Sequence, residues 1–253
     1  MTPGPRSLMQ RRRPRHGETS KIFSPPNSRN RRARRLRFDS YSYRSIARVY
    51  DFLAAVYSRG QIGATKRMQI DSIQTGNRVL YAGAGAGSEI LMAARFGARV
   101  TSIDLAQEML DRVASRFARE GLSCEMICGD VSSHKPDELY DVVVVNYFLN
   151  LFDLEHARVM ARHLCSLVRP GGKLLLTDFA RPSGGPIAAL ICEVYYRPIN
   201  WIAWALGFCA LHPILDYERL LEPMGFRIHS ARRFPVLIGA NPAYVSIVAE
   251  RNP

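Results

Sequence analysis

Three glycines separated by single residues follow an apolar run in this 253-residue chain. The run is Val79 to Ala82, and the glycines are Gly83, Gly85 and Gly87. Because glycine has no Cβ, the backbone there can adopt positive φ and a ligand can approach its main-chain atoms closely. Apolar residues at helical spacing come next, so the first N–H groups of a helix would point at the same crevice. The pattern predicts a buried strand, a ligand-binding turn and a helix.

An acid lies where the next strand ends. Asp104 stands 21 residues after Gly83, directly behind the predicted strand Arg99 to Ile103. A carboxylate at that place can accept hydrogen bonds from both hydroxyls of a ribose. A dinucleotide-binding dehydrogenase uses the same parts but spaces its glycines as G-x-G-x-x-G, and Ser88 occupies the third glycine position here. The spacing therefore favours an adenosine ligand without a pyrophosphate group.

Two further strands are predicted downstream, Cys124 to Cys128 and Asp141 to Val145. Each is followed by polar residues, Asp130 in the first case and Asn146 in the second. In an open α/β sheet, ligands bind at the carboxyl ends of the strands, near the point where the strand order reverses. The sequence thus predicts an α/β fold with its site at one edge of the sheet.

The stretch from Val79 to Phe179 resembles a class I S-adenosylmethionine-dependent methyltransferase. The motifs that carry the resemblance are, in order, VLYAGAGAG, SID, CGDV and LVRPGGKLLLTDF. The resemblance implies a Rossmann-like fold whose seven-stranded, mostly parallel sheet ends in a C-terminal antiparallel hairpin, here Phe226 to Phe234 and Tyr244 to Arg251. It also implies S-adenosylmethionine as the cofactor. An apolar helical insertion is predicted after the fifth strand, where the family usually diverges.

The resemblance implies a set of cofactor-binding residues. They are Tyr81, Gly83, Gly85, Gly87, Asp104, Leu105, Asp130, Val131 and Asn146. The glycines would border the methionine part, and Asp104 would hold the ribose. Asp130 would accept from the adenine amino group with Val131 beside the ring, and Asn146 would lie near the transferable methyl.

One position departs from the family pattern. The family usually has Asp or Glu where Tyr81 stands, an acid that helps to hold the ammonium group of the cofactor. This departure is expected to affect the affinity for the cofactor.

No catalytic base is assigned from the sequence, because methyl transfer from a sulfonium needs little acid–base machinery. A base would help if the acceptor were a phenol or an enol-like carbon. The candidates are His156, His163, His212 and Asp178. The two first-named histidines lie seven residues apart on a predicted helix, Leu154 to Val168, and Asp178 ends the fifth strand. No metal site is expected, because the five cysteines contain no C-x-x-C pair.

The acceptor is predicted to be small and lipophilic. Two runs resemble the C-methyltransferases of ubiquinone and menaquinone biosynthesis: ARVYDFLAAVYSRG at Ala47 to Gly60 and LLLTDFARP at Leu174 to Pro182. The first overlaps an amphipathic helix predicted over Ser42 to Ser58. Nucleic-acid bases are less favoured acceptors, since the tetrapeptide [DN]-P-P-[YF] is absent after the fourth strand. A dehydrogenase, a nucleic-acid methyltransferase and a non-catalytic protein of the same fold remain as alternatives.

The segment from Ile187 to Leu215 is strongly apolar and carries no charged residue between Ile199 and Leu211. Prolines bracket fourteen residues of it, fewer than the roughly 20 that a spanning helix needs. Three interpretations stay open: a wall around a lipophilic acceptor, an interfacial patch on an anionic membrane, and ordinary packing of a cap helix.

The positive charge is concentrated at the N terminus. Residues 1–38 hold twelve of the 35 Lys and Arg residues and one acid, which accounts for +11 of the net charge of +13. This tail is predicted to be disordered, and residues 39–253 to form the methyltransferase domain. The tail is interpreted as a solvated extension, an organelle-targeting segment, or an arm for lipid or nucleic acid. A cytoplasmic location is expected, with membrane association and organelle targeting left open.

Overall fold

The computed structural model describes residues 61–181, 190, 194, 197, 201, 214–235 and 242–253. All of these fall in the second of two compact units, residues 46–253. The predicted tail over residues 1–38 and the predicted helix Ser42 to Ser58 lie outside the described residues. The domain boundary at residue 39 therefore stays a prediction.

Seven strands form a single sheet in the order β3-β2-β1-β4-β5-β7-β6. They are β1 Arg78–Ala82, β2 Arg99–Asp104, β3 Glu125–Cys128, β4 Tyr140–Asn146, β5 Val168–Phe179, β6 Phe226–Pro235 and β7 Pro242–Arg251. The first five strands are parallel, and β7 runs antiparallel to both β5 and β6. The seven-stranded, mostly parallel sheet and the antiparallel C-terminal pair are confirmed.

Helices connect the strands and cover the sheet. They are α1 Gln61–Arg67, α2 Ser88–Arg95, α3 Gln107–Glu120, α4 Leu154–Ser166 and α5 Tyr217–Leu221. In the apolar insertion after β5, Leu190, Val194, Arg197 and Trp201 are helical. No helix among the described ranges is long and apolar enough to cross a membrane.

Two predicted boundaries need correction. The helix predicted to reach Val168 ends at Ser166, because Val168 pairs with Tyr140 and begins β5. The third strand begins at Glu125 rather than Cys124, where pairing with Thr101 of β2 starts.

Strand β1 separates two apolar cores, as alternation along a strand requires. Leu80 and Ala82 pack with α4 on one face. Val79 and Tyr81 pack with α2 and α3 on the other. Buried on both faces, the central strands have the apolar character that parallel sheets require.

The strand order reverses between β1 and β4, so their connections leave in opposite directions and open a crevice between them. Register brings the ends of β1, β2 and β3 level: Ala82 pairs with Ile103, and Asp104 pairs with Cys128. The fold therefore gathers the predicted site residues at one edge of the sheet.

Candidate cofactor site

The glycine loop after β1 has the backbone that its sequence predicts. Gly83, Gly85 and Gly87 adopt φ of 92°, 48° and 77°. A Cβ on Gly85 would meet no atom within 4 Å, so that glycine borders open space. A Cβ on Gly87 would lie 2.7 Å from Cγ2 of Val113 in α3. The loop thus leaves a gap on its outer side, while its last glycine lets α2 pack on α3.

Asp104 holds this loop from the end of β2. Its Oδ2 accepts a hydrogen bond from the backbone N–H of Ala84 at 2.7 Å, and its Oδ1 accepts from that of Ala106 at 2.8 Å. Each carboxylate oxygen has a second lone pair, which fits the pair of ribose hydroxyls. The next residue, Leu105, is 75% exposed and offers an apolar surface beside the carboxylate. These features fit the adenosine part of the expected cofactor.

The segment after β3 is fixed in a tight turn. Oδ1 of Asp130 accepts from the N–H of Ser132 at 2.8 Å, which caps a short 3-10 helix and leaves the carboxylate exposed. The side chain of Val131 is buried in the core under α4, and its carbonyl accepts from Nε2 of His163 at 2.8 Å. Asp130 is therefore accessible to a ligand, whereas the side chain of Val131 serves packing.

Asn146 ends β4 at the far side of the crevice. Its Oδ1 is buried and has no hydrogen-bond partner among the described residues. A buried acceptor without a partner costs about 1–3 kcal/mol. A donor supplied by a bound ligand would relieve that cost, so this atom also fits an occupied site.

Tyr147 follows Asn146 in an unusual conformation. It is the one non-glycine residue with positive φ (52°) in the described part of the chain, and such strain clusters at functional sites. Its N–H donates to the carbonyl of Thr177 at 2.7 Å. Its ring packs edge-on against Phe179 and Tyr244, with centroids 6.1 Å away in each case. The surrounding structure thus over-determines the position of Tyr147.

Tyr81, expected at the cofactor, has a different surrounding. Its side chain is buried in the core between β1 and α2, and its hydroxyl donates to the carbonyl of Glu89 at 3.2 Å. Burial raises the pKa of this phenol far above its ordinary value, so it stays neutral. Tyr81 therefore supports the first turn of α2.

A buried ion pair lies next to that contact. Nζ of Lys66 in α1 is 2.7 Å from Oε1 of Glu89 in α2, and the two side chains are 16% and 14% exposed. The same Nζ lies 5.7 Å from the centroid of the Tyr147 ring. The pair therefore connects the helix after the glycine loop with the residue that follows β4, across the point where the strand order reverses.

Helix α1 is held at this edge by buried polar contacts. Nε2 of Gln69 donates to Oγ1 of Thr177 at 2.7 Å, and Oγ of Ser246 donates to the carbonyl of Thr65 at 3.1 Å. Oγ1 of Thr65 is also hydrogen-bonded to the hydroxyl of Tyr147 at 3.2 Å. These contacts fix the helix that carries Lys66.

The candidate bases have different surroundings. Nδ1 of His156 lies 2.6 Å from Oδ2 of Asp153 at the exposed N terminus of α4, and His163 holds the turn after β3. Asp178 is buried at the end of β5, where its Oδ1 accepts from the N–H of Phe179 at 2.8 Å. His212 lies outside the described residues. Of these side chains, Asp178 lies on the strand next to the end of β4.

Three residues of this site were missed by the sequence analysis: Lys66, Glu89 and Tyr147. Glu89 stands two residues after the last glycine, and Tyr147 follows a predicted strand end, so both had a local signal. Lys66 had none, because its place depends on how α1 packs across the sheet.

The strand order, the glycine loop and the acid at the end of β2 define the fold of a class I S-adenosylmethionine-dependent methyltransferase. Residues 79–172 match a family model described as a methyltransferase domain. No cluster of His, Cys, Asp and Glu arranged for a metal ion occurs within the described ranges.

Similar proteins include several methyltransferases. Phosphoethanolamine N-methyltransferase 1 of Arabidopsis thaliana is 25% identical over 81% of this chain and 40% of its own length. The ubiquinone/menaquinone biosynthesis C-methyltransferase UbiE of Pseudomonas fluorescens is 28% identical over 60% of this chain and 60% of its own length. The second of these belongs to the group of quinone C-methyltransferases that the sequence motifs resemble. Since the chain spans only 40% and 60% of these two relatives, its activity, acceptor and partners are proposals.

A solved structure shows the same fold. The magnesium protoporphyrin IX methyltransferase (ChlM) of Synechocystis PCC 6803, with bound SAH, has a TM-score of 0.62 and 21% sequence identity. The match covers 85% of this chain and 96% of that chain.

Proposed function

We propose that this chain transfers a methyl group from S-adenosylmethionine to a small, lipophilic acceptor. The observation that carries the proposal is the hydrogen bond from Ala84 in the glycine loop to Asp104, at the edge where the strand order reverses. It joins the two parts that an adenosine ligand needs, a loop of glycines and alanines and a carboxylate for the ribose.

The chemistry supplied by the bound cofactor is an electrophilic methyl group on a sulfonium. The chain's own contribution is to align the acceptor with that methyl and to exclude water. Tyr147, held by Thr65 and by Phe179, is fixed beside the crevice. The amide of Asn146 provides a buried polar contact for orientation. Asp178 is the residue we propose as a base if the acceptor must lose a proton.

Aromatic side chains support an apolar, ring-containing acceptor. Phe148 and Phe152 stack edge-to-face with centroids 5.4 Å apart. Cδ2 of Phe148 lies 3.7 Å from the place that a Cβ on Gly83 would occupy, so this pair borders the glycine loop. Apolar pockets with few polar groups are typical of small-molecule sites. The similar enzymes of Arabidopsis thaliana and Pseudomonas fluorescens are named for phosphoethanolamine and for ubiquinone and menaquinone, which are small molecules.

The test is to incubate the full chain with methyl-labelled S-adenosylmethionine and, in separate reactions, with a lipid and quinone extract or with RNA and DNA, and to separate the products. We expect label in a small lipophilic species, and little with Asp104→Ala. Label in RNA or DNA, or cofactor binding without transfer to any extract, would contradict the proposal in favour of a nucleic-acid enzyme or a non-catalytic protein.

We also propose that the insertion after β5 contacts an anionic membrane, which would deliver such an acceptor. Leu190, Val194 and Trp201 are helical and 59–66% exposed, and the exposed Arg197 lies among them. Spacings of four, three and four residues put such side chains on one face of a regular helix. An apolar face with a Trp and an Arg is suited to anionic headgroups.

Sedimentation with phosphatidylglycerol-containing vesicles tests this contact, with pure phosphatidylcholine vesicles for comparison. Replacing Leu190, Val194 and Trp201 by Ser should lower partitioning roughly 10-fold or more, since each large apolar side chain contributes about 1.5–3 kcal/mol when buried. Phe96→Ser, at another exposed aromatic residue, is the matched control. Equal partitioning of the triple variant and the wild type would contradict the contact.

A further inference from the structure

We infer that the Lys66–Glu89 ion pair binds the amino-acid end of the cofactor, with Glu89 accepting from the ammonium group and Lys66 donating to the carboxylate. The inference rests on the proposed use of S-adenosylmethionine. It gives this chain an acid at the site where the sequence shows Tyr81 in place of one.

The location of the pair supports this role. Glu89 lies in the first turn of α2, two residues beyond Gly87 of the glycine loop. The hydroxyl of Tyr81 fixes this turn through the Glu89 carbonyl. On the other side, Lys66 faces the ring of Tyr147, which follows β4. The pair thus lies between the ends of β1 and β4, where the crevice opens.

The charges of the pair are complementary to a zwitterion. An ammonium and a carboxylate placed against Glu89 and Lys66 would form an alternating arrangement of four charges in a poorly hydrated place. Burial favours the neutral acid, but the Lys66 ammonium and hydrogen bonds outweigh it and hold the pKa of Glu89 below its ordinary value. The carboxylate is therefore charged at neutral pH, as an ammonium partner requires.

The pair differs from the other ion pair of α2. Arg95 and Glu120 are 2.6 Å apart, with side chains 56% and 31% exposed. That pair connects α2 with α3 at the surface, and exposed pairs of this kind contribute little to stability. Two charges are instead largely removed from water at Lys66 and Glu89, which is costly unless partners beyond the pair, such as the Ser88 hydroxyl 3.3 Å from Oε2 of Glu89, satisfy them. A bound zwitterion supplies such partners.

The test compares two ligands by calorimetry: S-adenosylhomocysteine, which has the amino-acid end, and methylthioadenosine, which lacks it. Glu89→Gln should weaken the binding of S-adenosylhomocysteine roughly 10- to 100-fold, as expected for a lost charge-assisted hydrogen bond. The affinity for methylthioadenosine should stay within about 3-fold of the wild-type value, a change of less than about 1 kcal/mol. Glu120→Gln, which breaks the surface pair, should leave the affinity for both ligands unchanged.

Lys66→Met extends the test to the other half of the pair. It should weaken S-adenosylhomocysteine but not its decarboxylated analogue, which retains the ammonium group. Because this readout compares ligands on one folded variant, it stays informative if Glu89→Gln folds poorly. Equal losses for all adenosine ligands, or unchanged binding of S-adenosylhomocysteine, would overturn the inference. If the wild type bound none of these ligands, the proposed function itself would fail.

Discussion

The carboxylate of Asp104 accepts a hydrogen bond from the N–H of Ala84 at 2.7 Å, so the acid at the end of β2 fixes the glycine loop at the end of β1. Asp104 is the last residue of β2, and Ala84 lies two residues beyond the end of the neighbouring strand β1. One side chain thus shapes the loop and also presents lone pairs where a ribose would lie. Loop geometry and cofactor affinity should therefore change together when Asp104 is altered.

Asp104→Ala should weaken S-adenosylhomocysteine roughly 10- to 100-fold, because charge-assisted hydrogen bonds contribute about 1.5–3 kcal/mol. Asp104→Asn keeps the size of the side chain and one acceptor oxygen, so it should lose less affinity for S-adenosylhomocysteine. Titration calorimetry of both variants checks the order. Equal affinity of Asp104→Ala and the wild type would mean that the ribose lies elsewhere.

Gly87→Ala should destabilise the fold more than Gly121→Ala does. Both glycines have positive φ, 77° and 65°, so alanine is strained at either. Only at Gly87 would the new Cβ also collide with Val113, which adds about 1–3 kcal/mol of overpacking. Urea unfolding of the two variants measures the difference. A larger loss at Gly121 would show that the packing of α2 on α3 has been misjudged.

Thr177→Val should lower the free energy of unfolding by about 1–3 kcal/mol, because it leaves the buried amide of Gln69 without its acceptor at Oγ1. Adding Gln69→Leu should recover part of the loss, since both polar partners are then removed. The double-mutant cycle in denaturant provides the coupling energy. Strict additivity would indicate that this bond does not hold α1 on the sheet.

Asp141→Asn should lower the free energy of unfolding at neutral pH. It should also make that free energy fall less steeply as the pH decreases. Burial favours the neutral acid at Asp141, but the N–H of Arg78 at 2.7 Å and the Arg169 guanidinium at 2.5 Å keep its pKa below the ordinary 3.8. A group whose pKa is lower when folded stabilises above 3.8 and loses that stabilisation as pH falls through the folded pKa.

Unfolding free energies from pH 7 down to pH 2 check this, with a difference of about 1 kcal/mol at neutral pH that disappears in acid. Glu138→Gln is the control, since Glu138 pairs with the same Arg78 while 78% exposed. A constant difference across the whole range would assign the effect of Asp141 to packing rather than charge.

The parts of the site that the sequence predicted depend on local patterns. Glycine spacing and apolar alternation fixed the loop and the strand ends, including Asp104 and Asn146. Alternation along β1 is also enough to predict that the Tyr81 side chain is buried against α2, because Tyr81 shares a strand face with Val79.

The remaining features depend on contacts between distant segments. Lys66 and Glu89 are 23 residues apart, and their meeting requires α1 to dock on the sheet edge through Thr177 and Ser246. The positive φ of Tyr147 could not be predicted from the sequence, because the residue is not a glycine and tertiary contacts impose this conformation. Such features follow from packing and not from periodicity.

The measurement that tests the central claim most directly is calorimetric titration of the full chain with S-adenosylmethionine. We expect saturable binding at one site per chain, weakened roughly 10- to 100-fold in Asp104→Ala and abolished by competing S-adenosylhomocysteine. Absence of binding at about 1 mM cofactor, which would correspond to less than about 4 kcal/mol of binding free energy, would contradict it.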